Sequence, residues 1–347
     1  IDKILIISTG LFIGVFGVLL FVWGNPKNSG ICISCFFENI AGALGLHNNL
    51  RMQYLRPEVM GFTLGSFILA FFTKEFKARG SEIPLISFML GIIMLLGSAV
   101  FVGCPIKLMT KIGVGELSAI NGIIGLIIGI WIGIQFLRDG FTQGEMHETH
   151  ALNGLLIPGL MFILLIIFFI KPFFVYFSTE GPGSLHAPVW ISLGISLIIG
   201  FMAQRSRFCV TGSIRNFILA GNTDLLLGLI FLLTGTFITG ILSNNFEIIP
   251  WHKEFLYEYL WEFLAMLLVG WASVFAGGCP FRQLILAGEG NVDAGICVLG
   301  MLAGGAIVQN LSIQTTETGI SFYGQIAVIS GLMFLIITGL SQREKIE

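Results

Sequence analysis

The residues in this chain with the most distinctive chemistry are thiols set beside prolines and cations. Gly103-Cys104-Pro105-Ile106-Lys107 closes one long apolar run, and Gly278-Cys279-Pro280-Phe281-Arg282 closes another. Proline lacks an amide hydrogen and disfavours helical backbone in the residue before it, and glycine supplies backbone angles that other residues avoid. Each motif therefore predicts a helix broken inside an apolar segment. A soft nucleophile sits at the break, and a cation follows two residues past the proline. Cys32 and Cys209 stand at the start of two further short apolar stretches, and Cys35 forms a Cys-x-x-Cys with Cys32. Cys297 lies inside a long apolar run and reads as a small buried hydrophobe. These spacings spell neither a disulfide framework nor a zinc site, and no metal or cofactor is expected. His47, His147 and His150 read as loop residues rather than ligands.

The elements that must position these thiols are membrane helices. Of 347 residues, 55% are hydrophobic and only 11% charged, against about 25% charged in an ordinary soluble domain. The mean hydropathy is +0.91, and apolar runs near the length of a bilayer crossing recur along the chain. With 18 Lys and Arg against 20 Asp and Glu, nothing marks a nucleic-acid partner. Ten spans are expected, at about 4–23, 58–72, 84–102, 117–137, 152–170, 188–203, 225–242, 255–276, 292–309 and 322–340. No A-x-A-like site follows the first, so it reads as a span rather than a signal peptide. Residues 31–46 and 208–220, and the segments after Cys104 and Cys279, are too short to cross and suit re-entrant helices. The loop at Trp251-His252-Lys253 reads as interfacial, and the charged tail 341–347 as solvated.

The chain also repeats itself. A shift of 175 residues places Ser98 on Ser273, Gly103-Cys104-Pro105 on Gly278-Cys279-Pro280 and Lys107 on Arg282. A shift of 177 places Ser29, Cys32, Asn39 and Ala43 on Ser206, Cys209, Asn216 and Ala220. The expected fold is an all-α polytopic membrane protein, with about ten transmembrane helices and four short re-entrant helices in two repeats. Residues 1–150 form the first repeat, 151–186 carry a linking span, 187–310 form the second repeat, and 311–347 hold the last span and tail. The odd linking span inverts the second repeat, a design in which broken helices meet near the midplane. The Lys and Arg bias places both termini in the cytoplasm.

Cys32, Cys104, Cys209 and Cys279 occupy the four short segments, so they are candidate substrate contacts, with Cys35 beside Cys32. A charge at membrane depth costs at least about 2.5–3.5 kcal/mol and needs a reason. Lys107 and Arg282, mates in the repeat, and Arg215, the mate of Glu38, are candidates for attracting an anion to helix N-termini. Thiols beside cations suit a small anion rich in sulfur or selenium, whose soft atoms match them. The first reading is a transporter of such an anion. The second is a membrane thiol redox enzyme using Cys32-x-x-Cys35, and the third a scaffold for a cytosolic partner. Only Glu38 and Glu116 among the carboxylates lie near the breaks.

Several runs carry a family resemblance: Gly24-Asn25-Pro26-x-Asn28-x-Gly30-x-Cys32-Ile33-x-Cys35-Phe36, then Ile40-Ala41-Gly42-Ala43-Leu44-Gly45-Leu46-His47, then Gln53-Tyr54-x-Arg56-Pro57-Glu58. Together with the two Gly-Cys-Pro breaks they resemble the YeeE/YedE membrane family, and most of all its YedE-type subgroup proposed as selenium transporters. The resemblance implies an hourglass of inverted repeats in a bacterial inner membrane, with a cysteine-lined pore for a thiosulfate-like anion. It implies Cys32, Cys104 and Cys279 as substrate contacts, with Cys209 at the fourth symmetry position. It also implies a small cytosolic sulfur carrier of the TusA/SirA type as a partner. Cys35 and the extended Gly-Asn-Pro run depart from the thiosulfate branch.

Overall fold

The computed structural model describes residues 2–249, 256–316 and 319–343. Trp251-His252-Lys253 and residues 344–347 therefore lie outside the described residues. Among the described residues there are ten longer helices: α1 (Lys3–Val22), α3 (Pro57–Phe72), α4 (Pro84–Val100), α6 (Ala119–Arg138), α7 (Ala151–Ile170), α8 (Val189–Ser206), α10 (Asp224–Leu242), α11 (Leu256–Phe275), α13 (Val292–Asn310) and α14 (Phe322–Ser341). Four short ones lie between them: α2 (Ile33–Ala43), α5 (Pro105–Gly113), α9 (Val210–Ala220) and α12 (Pro280–Gly288). The all-α membrane architecture is thus present. Among the described residues nine segments are long and apolar enough to cross a bilayer. The tenth expected span, α3, has only 16 residues, about 24 Å at 1.5 Å per residue. It is also buried along most of its length, because α7, α8 and α12 cover it.

Strand content is minimal. Arg79–Gly80 pairs with His147–Glu148 as a two-residue antiparallel ladder, so His147 lies in a strand rather than a free loop, with its Nε2 3.4 Å from Glu82. The ladder ties the connection after α3 to the connection after α6.

Glycine rows bring helix backbones together, as small residues do where lipid offers no hydrophobic drive between helices. A Cβ on Gly10 would collide with the Gly228 carbonyl, and one on Gly14 with that of Leu232, so α1 and α10 run parallel in close contact. Gly125 meets Phe263 and Gly129 meets Leu267, which sets α6 parallel to α11. In the same way Gly91 meets Cys297 and Gly304 meets Leu95, setting α4 parallel to α13. In contrast, Gly97 lies on Ala265 while Ser273 Oγ donates to Met94 Sδ at 3.5 Å. Helices α4 and α11 therefore run antiparallel.

Both Gly-Cys-Pro motifs break a helix, though not through the residue that the sequence suggests. The left-handed backbone falls one residue earlier, on Val102 (φ 57°) and Gly277 (φ 78°). Gly277 adopts it freely, whereas the β-branched Val102 is strained there. Gly103 and Gly278 serve a different purpose. A Cβ on Gly103 would stand 2.9 Å from Lys107 Cδ, and one on Gly278 2.7 Å from Arg282 Cγ. The bare glycine is what lets each cation's stem fold back over its break. Cys104 and Cys279 then sit extended, with Pro105 and Pro280 opening the short helix.

Candidate thiol and anion site

All four symmetry-related cysteines take the same local position: Cys32, Cys104, Cys209 and Cys279 are the residues capping the N-termini of α2, α5, α9 and α12. The first amides of a helix have no internal partner and carry partial positive charge. Each thiol thus borders a set of donors suited to an anion. Cys32, Cys104 and Cys279 are at most 1% exposed and Cys209 4%, so all four thiols are buried.

The thiols form two clusters. In the first, Cys32 Sγ lies 2.6 Å from Cys35 Sγ, the Cys32 and Cys104 thiols share a hydrogen bond, and the Ile33 amide donates to Cys104 Sγ at 3.4 Å. In the second, Cys209 Sγ lies 3.5 Å from Cys279 Sγ and accepts from the Cys279 and Gly212 amides at 3.4 and 3.3 Å. All six cysteines are free thiols. Cys297 is buried in α13 away from both clusters, among Ile86, Leu90 and Met94.

The cations attached to the clusters differ. Lys107 is 6% exposed, and the hydrogen bond recorded for its ammonium is a long one to Cys35 Sγ at 3.9 Å. No carboxylate forms an ion pair with it among the described residues. Its mate Arg282 is equally buried but neutralised, donating to Glu289 Oε1 at 3.1 Å and to the Ala203 carbonyl at 3.3 Å. Arg215 is placed differently again. Its guanidinium bonds the neighbouring Asn216 Oδ1 at 3.4 Å, and no recorded hydrogen bond joins it to a thiol.

A cavity of about 140 Å³ opens onto the first cluster, with Cys35, Lys107, Arg56, Asn39, Lys27 and Gln314 in its wall. Arg56 was not singled out as a site residue from the sequence. It is fully buried, donating to Asn39 Oδ1 at 2.7 Å and to the carbonyls of Pro182 and Leu185 at 2.8 and 3.1 Å. Its guanidinium centre also lies 5.2 Å from the ring centre of Phe36 and 5.0 Å from that of Tyr54. The Gly-Asn-Pro run has a matching task. Asn25 accepts from the Ala187 amide at 2.9 Å and donates to Glu58 Oε1 at 2.9 Å and the Gly30 carbonyl at 3.2 Å. It fastens the cavity wall to the segment before α8. The signal for Arg56 was its place in Tyr54-x-Arg56-Pro57-Glu58, a polar run between apolar stretches.

No group of three or more His, Cys, Asp or Glu among the described residues is arranged to hold a metal ion. The arrangement is a polytopic membrane protein with buried thiols, helix N-termini and, among the described residues, a cation with no ion-paired carboxylate at one cavity. Residues 205–340 match the family model described as sulphur transport. That match covers about two fifths of the chain, in its second half; it agrees with the YeeE/YedE resemblance and does not reach the selenium subgroup. No curated protein matches the chain. The match and the membrane helices together describe a sulfur-related transporter in a multi-pass membrane setting.

Proposed function

We propose that this chain is a permease that carries a small sulfur- or selenium-containing anion across the bacterial inner membrane, passing it between two thiol clusters. One observation carries the reading: Lys107, buried beside Cys35 and the Cys32–Cys104 pair, has no carboxylate ion-paired to it among the described residues and lines a cavity whose wall also holds the buried Arg56. A buried ammonium without a counterion is costly, and a transient anion supplies one. The thiols add selectivity, since a hard oxyanion alone is better served by guanidinium and amides. Helix N-termini at the breaks supply further donors on both sides.

The antiparallel contact of α4 with α11, its mate in the repeat, supports two inverted halves. In such a layout the first cluster faces one side of the membrane and the second the other. With both termini in the cytoplasm, the cavity at Lys107 is the outer mouth, where the anion is captured. The Arg282–Glu289 pair then leaves the second cluster with no net positive charge, so an anion leaves it more readily than it leaves Lys107.

The test is uptake of labelled thiosulfate and selenite by the purified chain in vesicles. Uptake lost on Lys107→Met with the protein still folded supports the reading, and uptake unchanged sinks it. A redox enzyme built on Cys32 and Cys35 has one observation in its favour, the 2.6 Å approach of their sulfur atoms. It predicts a Cys32–Cys35 disulfide that forms and disappears as substrate turns over, visible by mass spectrometry after thiol labelling.

A further inference from the structure

One buried acid next to the first cluster has no task in anion capture. Glu38, on α2 one turn past Cys35, is 1% exposed. The side-chain hydrogen bond recorded for its carboxylate comes from the neutral amide of Gln309 on α13, which also donates to Gln314 Oε1 at 3.1 Å. Gln314 is part of the cavity wall, so the carboxylate is one residue removed from the anion's mouth. No Lys, Arg or His forms an ion pair with Glu38 among the described residues.

The ionisable groups around Glu38 narrow its role. The fields of Lys107 on α5 and Cys32 on α2 reach it, and its own field reaches Cys35. His47, from the loop between α2 and α3, has its Nε2 2.9 Å from the Glu38 carbonyl oxygen, while its Nδ1 accepts from the Asn49 amide at 3.2 Å. That ring is satisfied as a neutral imidazole with its proton on Nε2, and burial lowers its pKa below the usual histidine value. Arg56 is engaged by Asn39, Pro182 and Leu185. The facing element α13 presents only the Gln309 amide. Glu38 and Lys107 are therefore left as opposite charges sharing one small region. The Arg56 guanidinium faces Glu58 through Asn25 in either case, so Glu38 sets the balance at Lys107: ionised, it offsets the ammonium and weakens the pull on an anion; protonated, it leaves that charge uncompensated.

From this geometry we propose that Glu38 is the proton-binding group that couples anion entry to proton entry, one proton for each anion. The inference rests on the transport reading above and supplies its driving force. Anion and proton favour each other's binding because each removes the electrostatic objection to the other, and such linkage is reciprocal. The repeat supports a single coupling group, since the position equivalent to Glu38 is Arg215, which carries no exchangeable proton near neutral pH. No covalent step is involved: the carboxylate takes a proton from one side and releases it to the other.

The experiment uses the full chain in sealed vesicles with labelled thiosulfate as the probe and the membrane potential clamped at zero. An acid-outside gradient of one pH unit should raise accumulation about tenfold, the ratio one coupled proton sustains, with an equal molar pH change inside. In Glu38→Gln the gradient should produce no accumulation, and thiosulfate counterflow should lose its pH dependence. Gln309→Met, which removes the donor to the ionised carboxylate, should keep the coupling but move its pH midpoint upward. Wild-type counterflow without gradient-driven accumulation overturns the proton coupling and leaves the transport reading standing. Accumulation by Glu38→Gln equal to wild type, or a midpoint in Gln309→Met that does not move, overturns the assignment to Glu38. Absence of any counterflow in the wild-type protein overturns the transport reading and the coupling with it.

Discussion

Replacing Lys107 by Met removes the charge and keeps a stem of similar length, so the break over Gly103 stays packed. The ammonium is 6% exposed, and its recorded hydrogen bond is the long contact to Cys35 Sγ. A captured anion therefore makes the charge-assisted contact that the folded protein leaves unmade. Such contacts are worth roughly 1.5–3 kcal/mol, so affinity should fall roughly ten- to 150-fold. Lys27, exposed in the same cavity wall, provides the contrast. Its charge is screened by salt, and exposed pairs contribute at most about 1 kcal/mol. Lys27→Met should therefore cost roughly fivefold at low salt and almost nothing at physiological salt. The assay is thiosulfate binding to the detergent-purified protein by calorimetry at low and physiological ionic strength, with circular dichroism as a check on folding. Folded Lys107→Met protein that binds within about twofold of wild type refutes the role of the buried cation.

Three further outcomes follow from named contacts. Arg282→Met strands Glu289, whose side chain is only 12% exposed, and should destabilise the protein by about 3 kcal/mol; adding Glu289→Gln should recover most of that loss, both read by thermal unfolding in detergent. Gly103→Ala puts a Cβ 2.9 Å from Lys107 Cδ, so the stem must swing away and anion affinity should drop while the helices stay intact by circular dichroism. Val102→Gly relieves a β-branched residue at φ 57° and should stabilise the fold by about 1 kcal/mol, seen as a raised midpoint in the same unfolding assay.

The helices and the four thiol positions were legible because both depend on local pattern. Apolar runs bounded by Gly-Cys-Pro or by polar turns define elements irrespective of their neighbours, and all four symmetry-related cysteines became helix caps. What depends on another part of the chain was not legible. Gly103 was read as the bent residue, yet the bend is on Val102, and the missing Cβ serves the Lys107 stem. Arg56 is positioned by carbonyls of Pro182 and Leu185, more than a hundred residues away. Arg215 was grouped with the cations of the site by its repeat position. Its guanidinium bonds the Asn216 side chain next to it, whereas Glu38 at the equivalent position is held by Gln309 of α13. The charge difference between Lys107 and Arg282 was also hidden. The acid that neutralises Arg282 is Glu289, whose equivalent by the 175-residue shift is Val114.

The most direct test of the central claim is competitive flux in vesicles, comparing labelled thiosulfate with labelled sulfate for the wild-type protein and for Cys104→Ala and Cys279→Ala. The thiol clusters predict thiosulfate flux at least tenfold above sulfate in the wild type, and loss of that preference in each variant. Equal flux of the two anions, or a preference that survives both substitutions, would contradict transport of a soft anion through paired thiols.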